Sequence, residues 1–427
     1  MRWALSLLFA AGTALPGLAS AHIGLQPQTV DFQHPPGADL PIDLESLFAY
    51  FVSDDGETWR FTCHEALLAD PSNPGTLLPR YVRAGDESLV VTMGTAGIGF
   101  VPDVGVYRST DGGCDWEAVA GLDGRAVTDL LVLADGSTVL ATTGDIAGDN
   151  GLYVSTDSGA TFVASDTTGL DGYFVNVATG GGTTAWAAYA DAGAGVAQLY
   201  RTDDSGATWA MVAFDELIEG SAPTDFAVLA VDPSDADHVH VVSAGQSFDY
   251  VHRTTDGGTG WEQVHQDAST LSDAAWDGGT ITAAVASLRP VTGDGSAFTT
   301  AADYPFSEGL TLRSDGLLLA TNTLLEDAAI MTPEGETLLS FEQVTEEISC
   351  PAGTRHAEVC SEIWPDASVV LSLFGPGDDD DAGDDDDTGP GDDDDGCGDC
   401  AADQSGPASP ALLALLPLLL FLARRRA

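Results

Sequence analysis

Carboxylates are the reactive groups this chain has in surplus: 67 Asp and Glu stand against 14 basic residues, all Arg, for a formal net charge of −53 over 427 residues. Two carboxyl groups facing each other across a cleft can cleave a glycosidic bond, one as acid and the other as base or nucleophile. Carboxylates spaced along a turning loop can hold calcium. The three Asp runs at 378–381, 384–387 and 392–395 are uniform blocks instead, so they predict only weak Ca2+ association. Cys397 and Cys400 make one CxxC without a second ligand pair, and processing or mutual pairing is expected there in place of a metal or redox centre. His22 could, as a new N-terminus, pair with His34 in a copper brace, but a repeat-built chain is a poor scaffold for one. No GxSxG, HExxH, P-loop or dinucleotide-binding pattern stands in a credible context. No residue is therefore assigned a catalytic or metal-ligating role, and no cofactor is expected.

The regularly spaced acids are a different set. Five octets, VSDDGETW (52–59), STDGGCDW (109–116), STDSGATF (155–162), TDDSGATW (202–209) and TTDGGTGW (254–261), share an Asp at the third position, a Gly at the fifth and an aromatic at the eighth. These are Asp54, Asp111, Asp157, Asp204 and Asp256; Gly56, Gly113, Gly159, Gly206 and Gly258; and Trp59, Trp116, Phe162, Trp209 and Trp261. The Asp positions are 57, 46, 47 and 52 residues apart, a period suited to propeller blades. A short Asp side chain accepts backbone N–H groups ahead of it, Gly supplies positive φ, and Ser or Thr bonds locally, which together make a hairpin tip. The aromatic begins the return strand and can wedge between sheets, where its burial is worth on the order of 4–6 kcal/mol gross. These residues are read as structural.

Apolar alternation at period 2 supplies the strands that carry the tips: 127–133, 138–142 and 152–155; 173–178, 184–189, 198–202 and 209–214; 226–231, 238–243, 250–254 and 261–265. The octets resemble the Asp-box, or BNR repeat, of sialidase-like β-propellers, over about residues 48–341. That resemblance implies an all-β, single propeller with four antiparallel strands per blade. Beyond Trp261 the motif decays. A tip is expected near Asp303 without its Gly and aromatic, and another at 331–338 that keeps Gly335 and Thr337. Counting both gives seven blades; six would follow if 301–309 were an insertion. Residues 22–41 are expected to supply an outer part of the first blade, and Ser368–Phe374, SVVLSLF, a C-terminal strand that closes the ring.

The two ends read as export signals. Residues 1–21 form a signal peptide with cleavage between Ala21 and His22, the propeller occupies 22–375, an extended acidic linker 376–396, and a tail 397–427. In the tail a Cys motif at Cys397 and Cys400, an apolar stretch broken by Pro417, and Arg424-Arg425-Arg426 resemble the tripartite MYXO-CTERM sorting signal of myxobacteria. That resemblance implies processing near a Cys and anchoring at the cell surface. In an exported chain the other cysteines should pair, Cys350 with Cys360 around a short loop and Cys63 with Cys114 between adjacent blades.

An acidic propeller is a poor partner for nucleic acid or anionic lipid. A sialidase-like hydrolase needs arginines that converge on a carboxylate, whereas Arg108, Arg201, Arg253 and Arg313 recur at one place in successive blades and point to different sides of the ring. Xyloglucanase-like enzymes resemble two propellers in tandem, and only one fits here. The expected function is thus a surface-anchored, non-enzymatic binding or adhesion module for an extracellular glycan or protein. The alternative is a surface glycoside hydrolase that uses paired carboxylates on one face of the ring.

Overall fold

A computed structural model describes residues 29–372 except 47–48, 68–78, 93–104, 146–148, 192, 215–225, 246, 287, 324 and 327. The signal peptide with Ala21 and His22, the acidic linker, and Cys397 and Cys400 lie outside the described residues. Seven antiparallel sheets follow one another along the chain. Blade 1 is Thr29–Gln33, Ile42–Ser46, Tyr50–Ser53 and Arg60–Thr62. Blade 2 runs from Arg80–Arg83 to Glu117–Ala118, blade 3 from Val127–Val132 to Val163–Ala164, and blade 4 from Tyr173–Gly181 to Ala210–Ala213. Blade 5 runs from Phe226–Asp232 to Glu262–Asp267, blade 6 from Leu271–Asp277 to Phe298–Thr300, and blade 7 from Ser307–Arg313 to Thr337–Leu339. The first strand of each blade packs on the first strands of its neighbours and so lines the axis.

Three expectations about the ends are corrected. Thr29–Gln33 is the axial strand of blade 1, not an outer one, because it packs on Ser307–Arg313 of blade 7. Ser368–Phe374 supplies no closing strand: its described part belongs to the helix Arg355–Leu371. Apolar residues at 359, 360, 363, 364, 367, 370 and 371 follow the helical period, and Thr354 caps the first turn by accepting the Ala357 N–H. The C-terminal segment is tied to blade 1 instead by Glu346–Glu347, a fifth strand that pairs in parallel with Arg60–Thr62 on its outer edge, while the ring itself closes where Thr29–Gln33 packs on blade 7. The disulfides also differ from those expected. Cys63 pairs with Cys360 and Cys114 with Cys350, so each bridge ties the C-terminal segment to blade 1 or blade 2. A pairing between Cys350 and Cys360 would have served only a local loop, whereas the helix sets Cys360 against Cys63 and leaves Cys350 beside the blade 2 tip.

The sixth tip was misplaced as well. Asp303 lies in the link to blade 7; the turn of blade 6 is Asp294-Gly295-Ser296, where Asp294 accepts the Ser296 N–H at 2.9 Å and Phe298 supplies the aromatic.

Each apolar core lies between two sheets. Leu133, Leu140, Phe174, Ala187 and Trp209 fill the seam between blades 3 and 4, and Trp186, Leu199, Phe226 and Val241 the seam between blades 4 and 5. Tip glycines seat each blade against its predecessor. At Gly206 (φ +86°) a Cβ would lie 2.4 Å from Leu140 Cδ2 of blade 3, and at Gly258 (φ +88°) 2.4 Å from Val212 Cγ1 of blade 4. Gly182 (φ +68°) has the same backbone need but open space. In chemical denaturation both Gly206→Ala and Gly182→Ala should pay the left-handed penalty of about 1–2 kcal/mol, and Gly206→Ala should cost about 1–3 kcal/mol more through overpacking. Equal losses would remove the inter-blade contact from the account.

Candidate functional site

The hydrogen bonds of the acids decide which carboxylates remain available for chemistry. At four tips one arrangement recurs. The hydroxyls of Ser109, Ser155, Thr202 and Thr254 donate to Asp111, Asp157, Asp204 and Asp256 at 2.8, 2.7, 2.9 and 2.8 Å. The same hydroxyls accept the N–H of Gly113, Gly159, Gly206 and Gly258 at 2.8–2.9 Å. Each carboxylate then takes the N–H four residues on, at Asp115, Thr161, Thr208 and Gly260. These amides hold the Asp204 and Asp256 carboxyls below their ordinary range.

Blade 1 departs from the predicted frame. Its tip is one residue shorter, with Ser53 as the hydroxyl and Asp55, not Asp54, as the acceptor. Ser53 bonds Asp55 at 3.2 Å and takes the Gly56 N–H at 2.9 Å, and Asp55 takes the Thr58 N–H at 2.7 Å. The Thr58 and Glu57 amides bring the Asp55 carboxyl down to about 2, while Asp54 sits outside the turn and pairs with Arg60. The aromatics Trp59, Phe162 and Trp209 are buried, and Trp116 and Trp261 are half-buried. The tip residues stand on five separate blades and converge on no common point.

A second group of polar residues, not singled out in the sequence, rings the axis. Asp129 takes the Leu130 N–H on one oxygen, at 3.0 Å, and the Val177 N–H of blade 4 on the other, also at 3.0 Å. Asp273 repeats this with Ala274 and with Leu310 of blade 7, at 2.8 and 2.9 Å. Asn176 occupies the same place in blade 4, where its amide bonds both the N–H and the carbonyl of Val228 in blade 5, at 3.0 and 2.8 Å. Each follows a β-bulge in its axial strand, which turns the side chain toward the next blade. The signal was present in VTDLLV, FVNVA and LSDAAW, where one Asp or Asn interrupts an apolar strand two residues from its start. Since Asn serves as well as Asp here, the group works as a backbone clamp. Asp129 accepts an amide on each oxygen and faces the Arg80 guanidinium at 3.7 Å, so Asp129→Asn, which keeps one acceptor, should cost about 0.5–1 kcal/mol, whereas Asp129→Ala, which also orphans the Val177 amide, should cost about 1–3 kcal/mol. Equal losses in urea denaturation would point to a need for the charge itself.

The arginines are occupied within their own seams. Arg108 donates to the Ser158 carbonyl of blade 3 and to Asp86, at 2.8 and 2.9 Å, and Arg201 bonds Asp203 and Asp237. Arg253 pairs with Glu262 and Arg313 with Asp315. His34 bonds the Thr311 hydroxyl of blade 7 at 3.1 Å and so belongs to the closing seam.

Histidines gather where blades 5 and 6 meet. His238 packs edge-on and His240 tilted against Trp276, with centroids 5.0 and 5.5 Å from it, and His240 Nε2–H donates to the Gly295 carbonyl at 2.9 Å. His252 lies edge-on to Phe214, at 5.4 Å, with neither ring nitrogen hydrogen-bonded. Burial brings His240 and His252 down to about 4. A histidine kept neutral by the fold destabilises it once the unfolded chain begins to take up protons, so stability is full above about pH 6.5 and declines as pH falls toward 4. His265 shifts the same way through burial, against the smaller pull of Asp267 at 3.8 Å. His252→Leu should flatten the fall in melting temperature between pH 6.5 and 4 and change stability at pH 7 by less than about 1.5 kcal/mol. An unaltered pH slope would show that this imidazole carries none of it.

The described surface also holds an open cleft of about 380 Å³ between residues 345–350 and the C-terminal helix, lined by Glu346, Glu347, His356, Ser361 and Trp364. Among the described residues no cluster of His, Cys, Asp or Glu could hold a metal ion, and no helix is long and apolar enough to cross a membrane.

No family model matches the chain. A xyloglucanase of Hypocrea jecorina (strain QM6a) is 34% identical over 116 residues, which is 27% of this chain and 13% of that enzyme's length. Among solved structures, the GH74 xyloglucanase of Xanthomonas campestris is 16% identical over 76% of this chain and 53% of its own, with a TM-score of 0.48. The GH74 enzyme of Niastella koreensis is 14% identical over 69% and 62%, with a TM-score of 0.42. Hydrazine synthase of Kuenenia stuttgartiensis is 11% identical over 74% and 97%, with a TM-score of 0.46. The xyloglucanase match overturns the expectation of a non-enzymatic binding or adhesion module. That expectation rested on the room for one propeller where such enzymes resemble two, and on the lack of a recognisable acid–base motif, which 67 acids hide by abundance.

Proposed function

We propose that this chain is an extracellular glycoside hydrolase acting on a xyloglucan-type polysaccharide and held at the cell surface through its C-terminal segment. The observation that carries the activity is the 34% identity to a xyloglucanase over 116 residues. The two disulfides support an oxidising compartment outside the cytoplasm. Neutral polysaccharide also suits a net charge of −53, which would repel a polyanion.

The chemistry needs one protonated and one ionised carboxyl flanking the bond, about 5–5.5 Å apart for retention or about 6.5–9.5 Å for inversion. The tip acids and the axial clamps Asp129 and Asp273 already hold backbone amides, so neither set suits the task. In a four-stranded antiparallel blade the first and third turns lie at one end, and the second turn and the inter-blade link lie at the other. The acid and base are assigned to this second end, whose exposed acids include Asp123, Asp171 and Asp303.

The test is release of reducing ends from xyloglucan by the mature protein, followed by an Asp→Asn scan across the second and inter-blade loops. One or two positions should lose about 100-fold or more in kcat with the fold intact, while Asp129→Asn retains activity. Absence of product from xyloglucan and from other neutral β-glucans would end the proposal.

A further inference from the structure

We propose that the cleft between residues 345–350 and the C-terminal helix is a saccharide-holding subsite, separate from the hydrolytic face, which takes one sugar unit of a neutral glycan. It lies on the outer edge of blade 1, where Glu346–Glu347 pairs with Arg60–Thr62. The hydrolase reading bears only on where the glycan comes from; the cleft's own chemistry carries the assignment.

Three buried polar atoms of residues that line this cleft, Glu347 Oε2 and the two ring nitrogens of His356, have no protein partner. Ser361 donates to Glu347 Oε1 at 2.9 Å and so fixes the carboxylate, while Glu347 Oε2 is buried with no hydrogen bond. His356 is 1% exposed, and neither ring nitrogen is in hydrogen-bond geometry with a protein atom. Burial, opposed by the nearby Phe61 carbonyl, brings its pKa down to about 4, so at neutral pH the ring presents one donor and one acceptor. Leaving such groups unpaired is costly, and a ligand can supply the missing bonds.

The mixture of groups selects the ligand. A carboxylate oxygen only accepts, and a neutral imidazole both donates and accepts. An ammonium or guanidinium ion would satisfy Glu347 but leave the imidazole N–H without an acceptor. An anion would meet Glu346 and Glu347 head-on. Vicinal hydroxyls donate and accept together, and so satisfy both groups. Trp364, half-buried and leaning on Phe61 with centroids 5.2 Å apart, adds the aromatic wall on which the C–H face of a pyranose can rest. A volume of about 380 Å³ falls at the small end of the range for ligand sites.

The site is also held in place before any ligand arrives. The His356 backbone N–H donates to the Cys114 carbonyl at 2.9 Å, and the bridges Cys114–Cys350 and Cys63–Cys360 flank it on two sides. A rigid site loses less on binding than one that must be ordered.

The test is calorimetric titration of the mature protein with cellotetraose, with a xyloglucan heptasaccharide, and with putrescine and an oligogalacturonide as cationic and anionic counterparts. The neutral sugars should bind saturably. Glu347→Gln, which keeps the bond from Ser361 but removes the charged acceptor, should weaken them by about fivefold or more. Trp364→Ala should do the same, and if it fails to fold the Glu347→Gln variant still decides the matter. Sugar affinity unchanged in Glu347→Gln, a cleft that holds only solvent, or putrescine as the ligand that Glu347→Gln weakens would each overturn the proposal. Hydrolysis is read separately. Sugar binding without turnover counts against the hydrolase alone, and turnover with binding indifferent to Glu347→Gln counts against the subsite alone.

Discussion

A ring of sheets is only as stable as its last seam, because until blade 7 meets blade 1 every inter-blade core stands at the end of an open stack. That seam joins Phe32, Ile42 and Leu44 to Leu318, Ala320, Ile330 and Leu339, residues almost the whole chain apart. The Cys63–Cys360 bridge spans 297 residues, and in the loop-entropy treatment a cross-link of that span removes about 6 kcal/mol of freedom from the unfolded chain. Here the covalent ties act where the non-covalent ones must bring together the most distant partners. The two-residue strand Glu346–Glu347 would be marginal alone; the helix packed behind it and the bridges on either side hold it to Arg60–Thr62.

Elsewhere the seams are closed by many small polar bonds around an apolar filling. Besides the axial clamps, Trp186 Nε1 donates to the Ala236 carbonyl across blades 4 and 5, His240 donates to Gly295 across blades 5 and 6, and the Ser314 N–H donates to Asp39 across blades 7 and 1. Between blades 1 and 2 the buried Arg83 bonds both oxygens of Asp43, at 2.6 and 2.7 Å. A buried pair of this kind adds little net stability but penalises any slippage that separates the charges. Registry between sheets, which apolar contact alone leaves loose, is the property such bonds supply.

What could be read from the chain alone follows from whether a constraint is local. The four tips at Asp111, Asp157, Asp204 and Asp256 were legible because hydroxyl, carboxylate, glycine and aromatic all act within eight residues. In blade 1 the sequence SDDG offers two acids to one turn, and only the placement of Ser53 settles on Asp55. In blade 6 the turn Asp294-Gly295-Ser296 is too short for the octet, so it went unseen. SVVLSLF has the composition of a strand, and the helical spacing that overrides it begins a dozen residues earlier. The disulfide partners depend on the closure of the ring, which no local pattern encodes. The acids of the proposed activity are illegible for another reason: a carboxylate that bonds a neighbouring amide and one that could move a proton are the same residue type, and only coordinates separate Asp129 from its exposed counterparts.

That distinction bears on how such a chain can carry 67 acids and a working surface at once. Many of its carboxylates are charged partners of backbone amides, bonds whose strength a neutral acceptor would not match. They concentrate at one end of the blades, where the tips and first turns of neighbouring sheets bond one another, as in Gly85 to Gly136 and Arg108 to Ser158. An end fixed in this way has little latitude to vary its side chains without losing registry. The opposite end is bonded as well, as in Arg125 to Asp149, Asn150 to Leu170, and the Thr92 and Thr128 hydroxyls to the Val127 and Phe174 carbonyls of the next blades, but there the bonds use hydroxyls, amides and carbonyls more than carboxylates. The proposed hydrolytic face is placed at that end because its exposed acids, Asp123, Asp171 and Asp303, are not taken up by turn amides as Asp157, Asp204 and the axial Asp129 are.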